Sequence, residues 1–419
     1  MSATDAAASD TDLPVEEELR GLGGFYQRGI DNLKSGNLGV LPIALGLVFI
    51  VVFFSFKATN FFTATNFNNI IIQMAGTAML AYGVVFVLLL GEIDLSISYV
   101  AGIGAITVAE LQLPGSGHQI NGLLAMAAAV AICVVIGAAQ GSIVAFVGVP
   151  SFVVTLAGFL IWQGVILQRL EQPGSIIIQD RWINYTASYG FSRAAGWIIA
   201  GLVTGIYAVG VLGGVIGKRR AGVTVRNPWI VVAKLIGVAV AACGTVYICN
   251  RAVVQGTTLG LPLAGVLVVT FLVVLTFLAK RTTFGRHVYA VGGNAEAARR
   301  AGINVPRIRI LVFMISSGMA AVGGILLAAN VNSVDLNFGG GTLLLDSIAS
   351  AVIGGVSLFG GRGEVRAAFL GALVIATVSN GLNTAGYATG VIYEVTGSIL
   401  LFAVTLDTIA RRLQVKSGR

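Results

Sequence analysis

Residues 280–309 read KRTTFGRHVYAVGGNAEAARRAGINVPRIR and lie between two long apolar runs, 258–279 and 310–328. The stretch holds seven basic residues (Lys280, Arg281, Arg286, Arg299, Arg300, Arg307, Arg309) against one acid, Glu296. An apolar run of about 20 residues is long enough to cross a bilayer as a helix. A basic loop between two such runs stays on the cytoplasmic side. Within the loop, Asn294 reads as an N-cap, Glu296 sits in the first turn, Arg299 and Arg300 in the last, and Gly302 just beyond. That order predicts a short helix whose charges complement its own dipole. A lipid-facing anchor would not need the cap and the stop. A capped helix on the inner face of a membrane protein is a surface on which another protein can push.

The rest of the chain agrees with this reading. Of its 419 residues 56% are hydrophobic, only 11% are charged and 56 are Gly; a soluble domain has roughly a quarter charged. Clear membrane candidates are 38–56, 70–90, 121–147, 150–168, 196–216, 229–249, 258–279, 310–328, 366–383 and 391–410. Two shorter Gly- and Ser-rich runs, 97–111 and 344–359, read as short spans or half-helices. The expected fold is an all-α, polytopic transmembrane helical bundle of 10–12 segments with broken helices. If all twelve cross from an inner N-terminus, the basic stretches Lys218–Arg226, Lys280–Arg309 and Arg411–Arg419 all fall inside. The net charge of +8 is accounted for by these loops and implies no nucleic acid. Residues 1–37 form an acidic tail, expected in the cytoplasm, and 38–419 the membrane domain.

A weak internal repeat runs through the two halves. Asp94, Ser96 and Ser98 lead to Gly102 as Asp346, Ser347 and Ser350 lead to Gly354, and Gln140-Gly141 has a counterpart in Asn380-Gly381. Interrupted segments in corresponding halves point to a solute path near the bilayer midplane.

Catalytic signatures are missing. Gly217-Lys218 lacks the rest of a phosphate loop, and no HExxH, GxSxG or clustered Cys/His set occurs. Cys133, Cys243 and Cys249 lie in apolar runs without metal-ligand partners, and His118 and His287 lie in loops, so no cofactor, metal or enzymatic role is expected. Acids beside apolar runs, Glu92 and Asp94, are costly. They either line a path or cap a broken helix. Asn332 in an outer loop, Asp346 at the start of a Gly-rich run, and Asn380 and Asn383 at the end of another span complete the candidates, with Ser96. Neutral amides and hydroxyls suit a hydroxylated solute, and equally suit bonds between helices. An ion-coupled secondary transporter is the alternative; it could recruit Lys234, Glu110 and Glu394, which are scattered.

Four blocks, GEIDLSISYVAG (91–102), VPSFVVTLAGFLIWQGV (149–165), FGRHVYAVGGNAEAARRAGINV (284–305) and LDSIASAVIGGVSLFGGRGEV (345–365), together resemble the permease subunits of bacterial ABC importers for monosaccharides. The likeness covers most of 60–410. Residues 190–256, with two additional apolar runs, look like the insertion of the xylose-type subgroup. The resemblance implies a homodimer in the plasma (inner) membrane with both termini cytoplasmic. It also implies a cytoplasmic ATP-binding subunit docked at Gly293, Asn294, Glu296, Ala297, Ala298, Arg299 and Gly302. An extracytoplasmic sugar-binding protein would deliver the monosaccharide, with xylose preferred. Family members with Gly-Gly-Ile-Asp-Leu-Ser differ here at Glu92.

Overall fold

The computed structural model describes residues 41–416 apart from 116, 118 and 223–227. The acidic tail 1–37, His118, part of the Lys218–Arg226 stretch and the last three residues lie outside the described residues. In chain order the helices are α1 (Leu41–Lys57), α2 (Ala64–Leu89), α3 (Ile97–Leu111), α4 (Gly122–Ser142, prolonged by a π turn over Ile143–Val147) and α5 (Ser151–Leu170). Next come α6 (Arg181–Ser188), α7 (Arg193–Arg220), α8 (Pro228–Cys249), α9 (Leu263–Arg281) and α10 (Thr283–Gly293). The last five are α11 (Ala295–Arg300), α12 (Val305–Val331), α13 (Leu343–Ile353), α14 (Val365–Thr384) and α15 (Thr389–Lys416).

Eight of them are long and apolar enough to span a membrane: α2, α4 with its π turn, α5, α7, α8, α9, α12 and α14. α1, α3, α13 and the apolar part of α15 are shorter apolar helices. The bundle thus has the expected twelve apolar segments, and α3 and α13 are the interrupted ones. Before α3 the chain turns at Gly91, with φ at +76°, and residues 92–94 are not helical. After α13 it turns at Gly355, with φ at +90°, and stays irregular until Glu364.

The core is built on α2 and α12, whose most apolar stretches are 78% and 61% buried. Lipid is as apolar as leucine, so these helices associate through close backbone approach. A Cβ on Gly83 would stand 2.9 Å from Ser316 O, and one on Gly323 would stand 2.7 Å from Gly76 O. Gly76 with Ser316, Gly83 with Gly323, and Gln140 with Asn380 all share a spacing of 240 positions. The contacts Gly83–Ser316 and Gly76–Gly323 are therefore the same contact seen from each helix. α2 ends where α12 begins, beside the basic loop, and α3 starts on the side where the loop after α13 lies. α2 and α12 therefore run antiparallel.

On the opposite side a two-stranded ribbon ties the halves together. Strand β1 (Ser175–Ile177) pairs antiparallel with Ser333–Asp335, which follows α12. The buried Gln112 accepts from the backbone N–H groups of Gln179 and Asp180 at 2.9 and 3.0 Å. The segment 193–249 forms an antiparallel hairpin of α7 and α8 attached at the edge, with only 6% of each apolar stretch buried.

Candidate functional site

Asp94 is 4% exposed and is held by neutral donors. Its Oδ1 accepts from Ser96 N at 3.0 Å and from Ser96 Oγ at 2.7 Å. Its Oδ2 accepts from Ser316 Oγ of α12 at 2.9 Å. Gln140 Oε1 of α4 lies 3.1 Å from Ser96 Oγ. The preceding backbone is fastened to α5, with Leu95 N donating to Thr155 Oγ1 at 3.1 Å and Ile93 N to Ser151 Oγ at 3.2 Å. One carboxylate thus joins the start of α3 to α12 where the helix is broken, with Gln140 of α4 beside Ser96. Among the described residues no cation is paired with it, and its charge is met by hydroxyl and amide donors. A cavity of about 140 Å³ adjoins it, bounded by Val84, Val87, Leu88, Ile93, Ile348 and Leu358.

The remaining candidates are dispersed. Glu92 sits on the basic face and pairs with Arg309 at the start of α12, 3.1 Å apart. Asp346 in the first turn of α13 accepts from Thr342 Oγ1 at 2.7 Å, while its Oδ1 has no partner. Asn380 on α14 accepts from Asn66 Nδ2 at 2.8 Å and donates to Gln73 Oε1 at 3.1 Å. Asn332 is exposed at the end of α12 with φ at +55°. Asn383 is exposed and bonds only to Ser379 O in its own helix. The structure therefore brings Asp94 and Ser96 together, and sets Asp346, Asn380, Asn332 and Asn383 at separate places. Asn66, Gln73 and Ser316 were not singled out in the sequence. No motif marks them: Asn66 is one of three asparagines within 66–69, Ser316 is one of a serine pair, and Gln73 stands alone on an apolar helix.

A groove of about 530 Å³ opens between α4 and α5; its lining is apolar apart from Gln140 and Trp162.

On the basic face α11 forms as its signals dictate. Asn294 Oδ1 accepts from Ala297 N at 2.9 Å. Glu296 pairs with Arg299 and Arg300. Gly302 ends the turn with φ at +84°. Ala298 is buried against the bundle, whereas Glu296, Ala297, Arg299 and Arg300 are half-exposed or exposed. Alongside, Lys280 at the end of α9 reaches Glu364 Oε1 at 3.2 Å, and Arg366 also pairs with Glu364. Hydrogen bonds from Arg366 and then Lys280 hold the Glu364 carboxyl below the usual carboxylate range, against its partial burial.

Residues 66–406 match the family described as branched-chain amino acid transport system / permease component. The chain is 32% identical to the xylose transport system permease protein XylH of Escherichia coli (strain K12), covering 92% of this chain and 95% of that protein. It is 34% identical to the protein of the same name from Haemophilus influenzae, over 90% and 98% respectively. It is 30% identical to the ribose import permease protein RbsC of Escherichia coli (strain K12), over 87% and 92%. No solved structure matches the chain. With its apolar helices arranged as a multi-pass bundle, the chain belongs to this family of transport-system permease components.

Proposed function

We propose that this protein is the membrane-spanning permease subunit of an ATP-driven importer for a monosaccharide, with xylose preferred, in a bacterial plasma membrane. The observation that carries the reading is α11: a capped, exposed, basic helix standing on a membrane bundle. It is the surface for a cytoplasmic ATP-binding subunit, contacted through Gly293, Asn294, Glu296, Ala297, Arg299 and Gly302; Ala298, expected among these contacts, is instead buried and seats the helix on the bundle. The basic face is cytoplasmic, as are both termini. An extracytoplasmic sugar-binding protein delivers the solute on the ribbon side.

The similarity to the xylose and ribose permeases along most of the chain supports a sugar. The chemistry of the bundle supports it too, because an amino acid brings two charges that need opposing charges. The polar groups inside this bundle are mostly neutral: Asn66, Gln73, Asn380, Gln140, Ser96 and Ser316. Two copies form the path. On the outside of each copy, α5 turns Phe152, Leu156 and Leu160 outward, an apolar face that a second copy can cover.

The test is sugar-stimulated ATP hydrolysis by the permease reconstituted with its cognate subunits, across a panel of pentoses and hexoses. Xylose stimulation is expected, and Glu296→Arg, which places a third cation on α11 and a positive charge at its N-terminal end, is expected to uncouple hydrolysis from uptake. Uptake by the chain alone, driven by an ion gradient, would favour an ion-coupled transporter instead.

A further inference from the structure

What α10 and α12 touch decides how a push on α11 spreads. At the end of α10, Gly292 packs on bare backbone: a Cβ there would overlap the Leu89 carbonyl and stand 2.9 Å from Gly361 N. Gly360 is enclosed in the same way, because a Cβ on it would lie 2.8 Å from Gly292 O and 2.9 Å from Gly91 N. Gly361 N also donates to Leu89 O at 2.9 Å. Three chain segments therefore meet backbone to backbone with no side chain between them. The first is the end of α10, which runs into α11. The second is the turn at Gly91, three residues before Asp94. The third is the irregular loop between α13 and α14.

A side chain between two packed elements can change rotamer and take up a displacement. A backbone contact has no such slack, and close-packed interiors transmit strain. Two further ties parallel the glycine contact. Tyr289 Oη on α10 donates to Gly363 O at 2.7 Å, and Arg309 at the start of α12 pairs with Glu92.

We propose that Gly91, Gly292 and Gly360 form a backbone joint that delivers movement of α11 to both interrupted membrane elements at once, the segment before α3 and the loop after α13. These glycines act through the elements they position and touch no solute. The inference rests on α11 being the docking helix for the ATP-binding subunit.

The test uses the full chain in proteoliposomes with its cognate ATP-binding subunit and binding protein, and D-xylose as probe. Gly292 is helical, so Gly292→Ala changes the contact and not the backbone conformation. The variant is expected to retain the ATP-binding subunit and its hydrolysis, while xylose moved per ATP falls about tenfold, within the reach of a single position on a coupled network. An unchanged ratio with the subunit still bound overturns the joint. If Gly292→Ala is not recovered folded, Tyr289→Phe removes a single hydroxyl from the same junction. It is expected to lower the ratio about threefold, and an unchanged ratio again overturns the proposal. Should the wild-type chain capture no ATP-binding subunit, the functional reading fails first and the joint falls with it.

Discussion

The α2–α12 crossing and the α7–α8 hairpin are both apolar and both carry glycines, yet the glycines do opposite things. In the crossing, Gly76, Gly83, Gly323 and Gly324 each face atoms of a neighbouring helix. In α7, a Cβ on Gly201, Gly205, Gly210, Gly213, Gly214 or Gly217 would meet nothing within 4 Å. Hydropathy does not separate the two regions, because lipid and a protein core are about equally apolar. Close backbone approach and buried polar contacts separate them. The crossing is the frame against which the broken elements pack, and the hairpin is an apolar appendage presented to its surroundings.

The largest expected effect tests that contrast directly. Gly83→Leu would force a side chain into the Ser316 backbone, where a Cβ alone would stand 2.9 Å away. Overpacking of a tight crossing costs about 3 kcal/mol, so folded yield in detergent should collapse. Gly213→Leu on α7 adds a side chain to open space, and yield and melting temperature should hold. Equal losses in both variants would show that the hairpin is packed as the core is, and the comparison would break.

A smaller effect is expected at Asp94. Replacement by Ala leaves the Ser316 hydroxyl and the Ser96 N–H without their acceptor, which costs about 1–3 kcal/mol. Lys234→Ala on α8, an exposed site, should shift stability by no more than about 0.5 kcal/mol. Thermal melting and sugar uptake, measured together on Asp94→Ala, separate its roles. A folded but transport-deficient protein assigns the carboxylate to gating or the path, whereas loss of the folded protein assigns it to holding the break.

The sequence announces this architecture unevenly. Helix count and the position of α11 are legible, because apolar length, basic clustering, Asn294 and Gly302 are local signals. The broken segments are legible as well, since Gly and Ser interrupt the apolar runs around Asp94 and Asp346. The amide pair Gln140 and Asn380 suggests a repeat, but the antiparallel run of α2 and α12 leaves no local signal. Direction depends on where α2 and α12 end in space, and no single segment records that. Partners of the polar residues are illegible for the same reason. Asn66 meets Asn380 across 314 positions and Ser316 meets Asp94 across 222. The ribbon of Ser175–Ile177 with Ser333–Asp335 is three residues long on each side, too short to leave a period-two pattern.

The smallest expected effect lies at the basic edge, where the core and the hairpin both present basic residues. On the core side Lys280 and Arg366 share the Glu364 carboxylate, whose lowered pKa means that the folded state favours its ionised form. The pairing is therefore fully present above the ordinary carboxylate range and is lost as pH falls through the lowered value. With each partner more than a third exposed, solvent screening keeps the change local. Hydrogen exchange at 360–366 should rise as pH falls from 6 towards about 3.5, after correction for the intrinsic rate. Glu364→Gln should remove that dependence. The end of α7 carries Arg219 and Arg220, both exposed and, among the described residues, in no ion pair with a carboxylate, so protection there should stay flat. A parallel rise in both places would mean that acid loosens the whole bundle, and that the core's basic edge is no better fastened than the hairpin's.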